Sequence, residues 1–434
     1  MTMVASPAWA EADGAWTPER AWNEAMRLNP QLKAIDATAD AARARIQGAR
    51  SPQVPTAAVD ASHRQSTANF AAQPGQVPRS FNNATSTFSL EPFAFWQAGA
   101  SGRWTFADFG RTAASVHAAE HSASAAVADA RNVRRQVWLQ VISAYQLVLS
   151  SEAAVTAAQE ARDQSAQRRE LARSRVEARM RPPLDLMRAE SDLASAEVAV
   201  LRADEQVRAS RIALTVAIGL QQPVSGPLAP LSMVEPELAE ERLHAPQALE
   251  RWTAAASDQR DEIKALQERR LAAQAELLAA QRAANPSLFL NGSATLAGTQ
   301  LTGMAFNLGL AAGVTWPVSN AWLAQPQIAE IRARIRALDG QEQTLVLTTR
   351  AELDAARTAV AQVRKRRPAL VTLREFSAKA YEQANIRYSA GAATLTEVID
   401  AAAGISQARL QLLQADLEEA LAIARWRAAM SKLP

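Results

Sequence analysis

The chain has 434 residues, of which 48% are hydrophobic, 5% aromatic and 21% charged, with a formal net charge of +3. So slight a charge gives no ground for a nucleic-acid or polybasic membrane surface, and the surplus of alanine favours long helices or coiled coils over a bulky globular core. The chain has no cysteine, which excludes disulfides, thiolate metal sites, a cysteine nucleophile and a lipid-modified N-terminal cysteine.

Residues 1–17 contain Ala8-Trp9-Ala10, an A-x-A pattern that places a cleavage before Glu11. The charged and apolar regions of a whole leader are missing, so the segment reads as a residual signal peptide or a disordered N-terminus. No unbroken run of about 18 apolar residues follows, so no transmembrane helix is expected. The length exceeds what one compact core absorbs, which predicts two units or an elongated shape.

From residue 18 the chain is written twice. RVEARMRPPLDLMRAESDL from Arg175 aligns with RYSAGAATLTEVIDAAAGI from Arg387 at an offset of 212. Leu186, Leu193 and Val200 fall on Val398, Ile405 and Leu412, while Ala189, Ala196 and Ala203 fall on Ala401, Ala408 and Ala415. Large residues at one core position and alanine at the other, every seventh residue, describe closely packed coiled-coil helices. Upstream, Leu32-Lys33-Ala34 matches Ile263-Lys264-Ala265 and Pro55 matches Pro286 at an offset of 231; Gly102 to Phe106 matches Ala312 to Trp316 at 210. The first repeat is therefore 18–219 and the second 258–434. Between them, 220–257 is a connector rich in proline (Pro223, Pro227, Pro230, Pro236 and Pro246) with room for one short helix.

Each repeat reads as helix, two strands, very long helix, turn, long helix. Strands are expected at about 54–67, 92–108, 286–300 and 303–317. In the last, Met304, Phe306, Leu308, Leu310, Val314 and Trp316 alternate with Ala305, Asn307, Gly309, Gly313 and Thr315. A period of two gives one apolar face and one small or polar face. Trp96, Ala98, Trp104 and Phe106 oppose Gln97, Ser101, Arg103 and Thr105 in the same way. In the lead strand of the second repeat Leu288, Leu290, Ala294 and Leu296 oppose Ser287, Asn291, Ser293 and Thr295, with Phe289 breaking the pattern. The strand after Pro55 is the least regular. Long helices are expected from about Thr112 to Ala178 and Gln325 to Tyr388, each roughly 100 Å at 1.5 Å per residue. Pro326 suits a first turn, and Pro368 should kink or break the second rod.

Strands of this length suit a tilted transmembrane barrel, and Trp96, Trp104, Phe106, Phe306 and Trp316 suit a lipid-interface aromatic girdle. Four strands cannot close a barrel, for which about eight is the minimum. Because an open sheet edge is forbidden in lipid, several chains must share one barrel.

With YSAGAATLTEVIDA at 388–401 and WTFADFGR at 104–111, the duplicated chain resembles the TolC-type outer-membrane efflux family from about residue 18 to 430. The resemblance implies a mainly α fold with a membrane β-barrel part: a homotrimer whose chains share a twelve-stranded barrel and an α-helical tunnel. It implies an outer-membrane location extending into the periplasm, and docking to a periplasmic adaptor and an inner-membrane pump. No cofactor and no enzymatic activity are expected. Tyr388, Glu397 and Asp400 match the family's periplasmic gate, where stacked acidic rings would favour cations. The two helical tips, Arg179, Met180 and Arg181 in the first repeat and Ala390, Gly391 and Ala392 in the second, become the adaptor-contacting surface. Two departures stand out. Ala393 occupies a position often basic in the family, which removes an expected tether, and Arg179 replaces the glycine of the first tip.

Two motifs point elsewhere. His117-Ala118-Ala119-Glu120-His121 fits H-x-x-E-H, a zinc-peptidase pattern, but neither a third ligand nor a globular cleft is evident, so it reads as helix surface. His63 and His244 stand alone. Arg364-Lys365-Arg366-Arg367 lacks the aromatic interleaving of a nucleic-acid site and reads as a solvated face beside Pro368. The expected function is a passive exit duct of a tripartite efflux system. The alternatives are the exit duct of a type I protein-secretion system, and a non-channel periplasmic coiled-coil tether.

Overall fold

The computed structural model describes residues 15–66, 93–231, 233, 235–243, 245 and 247–432. The signal-peptide reading and His244 therefore fall outside the described residues. The first repeat supplies α1 (Pro18–Leu28), α2 (Pro30–Arg50), β1 (Thr56–Ser66), β2 (Phe93–Ala107), α3 (Arg111–Glu177) and α4 (Pro183–Ile218). The connector carries α5 (Glu240–Leu243) and the start of α6 (Ala248–Gln259), more helix than expected. The second repeat supplies α7 (Asp261–Gln281), β3 (Ser287–Gly298), β4 (Ala305–Thr315), α8 (Asn320–Leu323), α9 (Gln325–Ser389) and α10 (Leu395–Ala429).

Two compact units divide these elements. One comprises Met1–Thr38, Val127–Ala265 and Gln341–Pro434; the other comprises Ala39–Ala126 and Leu266–Gly340. Both repeats contribute to each unit.

The second unit holds the sheet, in the order β1-β2-β3-β4 with every pair antiparallel. Thr56 stands opposite Arg103 in the first repeat's hairpin, and Ser287 opposite Thr315 in the second. The leading strands are thus equivalent at the offset of 231, but the following strands at 212 rather than 210. A shift of two residues preserves the face, so the reading of sidedness survives the correction. A bulge between Thr105 and Ala107 lets β2 end against β3. Below the sheet, α7 packs on α9 through Ala273, Ala280, Ile328, Ile331 and Leu338, buried at coiled-coil spacing.

In the first unit, Trp22 of α1, Trp138, Ile142 and Tyr145 of α3, and Leu214 and Ile218 of α4 form one core cluster. Trp16 adds a single parallel bridge to Leu228 of the connector. The Tyr145 hydroxyl lies 2.6 Å from the carbonyl oxygens of both Trp16 and Ala229, and burial pushes its pKa up. A second cluster joins Leu238, Leu243 and Trp252 to Leu353, Val360 and Trp426, the two indoles meeting edge-on at 5.5 Å. Between the helices, Arg260 reaches Glu262 (2.9 Å) and Glu352 (2.8 Å), while Arg135 reaches Glu262 (2.7 Å) and the Ala428 carbonyl (3.0 Å). Buried guanidiniums require such partners.

One expectation needs correction: helix α9 runs unbroken through Pro368. The basic run beside it is exposed at Lys365, Arg366 and Arg367, as a solvated face should be, and it is also paired: Arg364 with Glu419 and Arg367 with Asp416, both at 2.7 Å, and Arg366 with Glu418. Those three acids lie on α10, which splints α9 where proline removes a backbone hydrogen bond. Separately, α3 includes one stretch apolar enough by length and composition to cross a membrane. Yet Val137, Trp138, Val141, Ile142 and Val148 of α3 are buried in the core of this unit.

Candidate functional site

Two places carry the residues of functional interest: the sheet in one unit and the paired helical tips in the other.

Ladder partners place Val59, Ala61 and His63, then Trp96, Ala98 and Trp104, then Leu290, Ala294 and Leu296, then Phe306, Leu308 and Leu310, on one continuous face. Most are exposed, Leu310 by 78%. Exposed apolar area this continuous marks a lipid or protein contact. At the end nearest the helices, Trp104 donates its indole N–H to the Gln53 carbonyl (3.0 Å) and Trp316 donates to Ala284 (3.1 Å). These are the same bond in the two repeats, and they leave both rings outward with the polar atom satisfied. Phe106 lies 5.9 Å from Trp104, and Trp96 stacks on His63 at 4.0 Å. Phe306 is exposed at the start of β4, beside the turn from β3.

The opposite face carries Thr56, Asp60, Ser62, Gln97, Ser101, Arg103, Asn291, Ser293, Thr295 and Asn307. Phe289, the break in the alternation, belongs here. A Cβ on Gly313 would come within 2.6 Å of its ring, so only glycine permits the ring to lie across β4. The Arg103 guanidinium sits 4.6 Å from the ring centroid.

Between strand and helix, Asp108 caps α3, accepting from the backbone N–H groups of Thr112 (2.7 Å) and Gly110 (3.2 Å). Burial pushes its carboxyl up, but hydrogen bonds from the Thr112 hydroxyl and from these N–H groups, with the Arg111 charge, hold it below the ordinary value. Part of the WTFADFGR motif is thus the corner that starts the rod.

At the tips, the two repeats close with the same bonds. The Met180 N–H donates to Arg175 (2.8 Å) and the Arg179 N–H to Val176 (2.9 Å). The Ala392 N–H donates to Arg387 (2.9 Å) and the Gly391 N–H to Tyr388 (3.1 Å). Both turns are Schellman caps needing a left-handed residue, supplied by Gly391 (φ +80°) and by Arg179 (φ +58°). The departure in sequence is therefore no departure in backbone.

Sequence reasoning grouped Tyr388 with Glu397 and Asp400, but the structure separates them. Tyr388 is fully buried among Ala172, Ala189, Leu395 and Val398, and its hydroxyl has no hydrogen-bond partner. Arg175 and Arg181 lie over its ring at 4.5 and 5.4 Å. Glu397 and Asp400 are exposed. Glu397 turns back to the Thr394 backbone N–H (3.1 Å) while its own N–H donates to the Thr394 hydroxyl, completing a capping box. The backbone bond from Thr394, then the hydroxyl bond, then Arg387 at 3.8 Å lower its pKa.

The tether expected to be missing at Ala393 is supplied from the other repeat. Arg175 donates to the carbonyls of Tyr388 (2.8 Å) and Ser389 (3.2 Å), Arg181 to that of Ala393 (2.9 Å), and Arg188 to the Thr396 hydroxyl (3.3 Å). Arg181 is therefore engaged within the chain, whereas Met180 is 74% exposed and Arg179, Ala390 and Ala392 are exposed. The T-x-x-E spelling would have found the cap; nothing local foretold the arginine bridges.

The histidines of the H-x-x-E-H motif face different carboxylates: His117 pairs with Glu120 at 3.1 Å and His121 with Glu268 at 2.8 Å. Among the described residues no group of three or more His, Asp or Glu is placed to hold a metal.

Comparison with known proteins adds three findings. The outer membrane efflux protein family's sequence profile matches residues 21–220. No curated protein matches the chain. Among solved structures, the outer-membrane channel OprN is similar at a TM-score of 0.78 and 19% identity, over 96% of this chain and 90% of that one. The Campylobacter jejuni CmeC outer membrane channel gives 0.79 and 16%, over 96% and 85%. The open-state Neisseria gonorrhoeae MtrE outer membrane channel gives 0.75 and 21%, over 95% and 88%. Such distant likenesses establish the fold alone: long paired helices with a small antiparallel sheet, as in those channels.

Proposed function

We propose that the chain, whose residues 21–220 match the outer membrane efflux protein family, is a member of that family and the exit duct of a tripartite efflux system, assembled as a homotrimer with one twelve-stranded barrel in the outer membrane. Its partners are a periplasmic adaptor and an inner-membrane pump. The family is one of passive channels, so the activity is transport and not catalysis. One observation supports this best: four strands with a single continuous apolar face. Such a face belongs in lipid, and two free edges in lipid require neighbouring copies. A soluble coiled-coil tether has no use for it. The exit duct of a protein-secretion system shares the architecture, and the pump rather than the duct distinguishes the two.

Gating is proposed at the tip. Asp400 supplies an exposed carboxylate without a partner among the described residues, one turn beyond Glu397, and copies of both around an entrance would attract cations. Tyr388 contributes by holding the tip's core. Single-channel recording of detergent-purified protein tests the duct: discrete, cation-preferring steps are expected, and protein that stays soluble without detergent and never conducts would sink it. Glu397→Gln with Asp400→Asn tests the gate, because glutamine keeps the capping box while removing charge. Unchanged conductance and unchanged block by multivalent cations would remove the acidic pair from the gate.

A further inference from the structure

The polar face of the sheet is neutral except for a few groups. Among the described strand residues, β1 places Asp60 and Arg64 on it, β2 places Arg103, and β3 and β4 place no charge. Asp60 pairs with Gly99, four residues from Arg103, or roughly 13 Å along the strand. Arg64 lies farther in the same direction. Arg103 is exposed and has no carboxylate partner among the described residues.

An unpaired arginine ordinarily sweeps a wide volume on its flexible stem. This one has a shelf. Phe289 is the one aromatic that β3 and β4 present to this face, and the tip of its ring occupies the space that a side chain at Gly313 would need. The guanidinium sits 4.6 Å from its ring centroid. An aromatic ring, a glycine bed and a cation drawn from three adjacent strands are more than one stray charge needs.

We propose that Arg103, seated on Phe289, is a selectivity element: a fixed cation that concentrates anionic solutes, carboxylates and sulfonates among them, on the polar wall of the sheet. This rests on the reading above that the polar face lines a water-filled barrel. There each copy of the chain adds one such charge at the same height, which makes an anion-favouring ring.

The absence of cysteine makes the test clean. Ser101→Cys puts a thiol on the same face as Arg103, two residues away and exposed. In detergent-purified protein its modification rate is measured with an anionic sulfonatoethyl and a cationic trimethylammonioethyl methanethiosulfonate. The anionic reagent is expected to react relatively faster than with free cysteine. Adding Arg103→Gln should lower the anionic-to-cationic ratio by about threefold or more, the order expected for one unit charge a few ångströms away in a water-like medium. Arg103→Glu should invert the preference, and Phe289→Leu, which keeps the charge and removes the shelf, should fall between. A ratio unmoved by Arg103→Gln overturns the proposal, as does a Ser101→Cys thiol that neither reagent reaches. Leu310→Cys, on the apolar face, separates this from a failure of the duct reading. If it reacts with both charged reagents as fast as Ser101→Cys, the sheet has no lipid side, and it is the barrel that fails.

Discussion

Arg179 and Gly391 hold the same left-handed conformation in two copies of one turn, so they report on each other. An L side chain there costs on the order of 1 kcal/mol. Arg179→Gly is therefore expected to stabilise the detergent-solubilised protein by about 1 kcal/mol and Gly391→Ala to destabilise it by a similar amount. Thermal unfolding of the two variants checks this, and equal shifts of the same sign would refute it. Thr394→Ala should cost α10 about 1 kcal/mol through loss of its cap. The cap also titrates. The folded pKa of Glu397 lies below the unfolded one, so its contribution is complete above the ordinary carboxylate range and is lost as pH falls through the depressed value. Hydrogen exchange in the first turn of α10 should accelerate on acidification, and Glu397→Gln should abolish that dependence. Glycine and T-x-x-E are local signals and could be read from the chain. The burial of Tyr388 could not, because Arg175 and Arg181, which cover its ring, come from the other repeat.

At the scale of elements, period-two alternation located β2 to β4 within a few residues and seven-residue spacing marked α4 and α10, because each pattern is set by a face that the element itself buries or exposes. Phe289 defied the alternation for a reason that lies in two neighbouring strands. Gly313→Ala tests it: the new Cβ would meet the ring, and a loss of roughly 1–3 kcal/mol is expected, the usual cost of overpacking. Pro368 does not break α9, a result the local proline rule could not give, since the splint lies across on α10. Individual exposed ion pairs are worth about 0–1 kcal/mol. Asp416→Asn with Glu418→Gln and Glu419→Gln should nonetheless accelerate exchange around residues 364–372, by more in low salt than in high. Identical exchange in the triple variant would mean that α9 holds itself.

For the molecule as a whole, α4 exposes Leu184, Val198 and Ile212, with Met187 and Leu201, at multiples of seven. Among the described residues nothing covers this stripe, and its spacing suits a contact with a second helix. Val198→Glu with Leu201→Glu is expected to dissociate the assembly, read by mass in detergent, while the chain's helix content is kept; an intact assembly would place the contact elsewhere. The strand order carries a consequence for how many copies assemble. Four strands, each antiparallel to the next, leave β1 and β4 at the edges running in opposite directions. Every junction between one copy's β4 and the next copy's β1 is then antiparallel, whether the ring holds two copies, three or more. The sheet is an adhesive that does not count. Stoichiometry has to be written where curvature is set, in the side chains of the helices, and a variant that changed the number of subunits should be sought there and not among the strands.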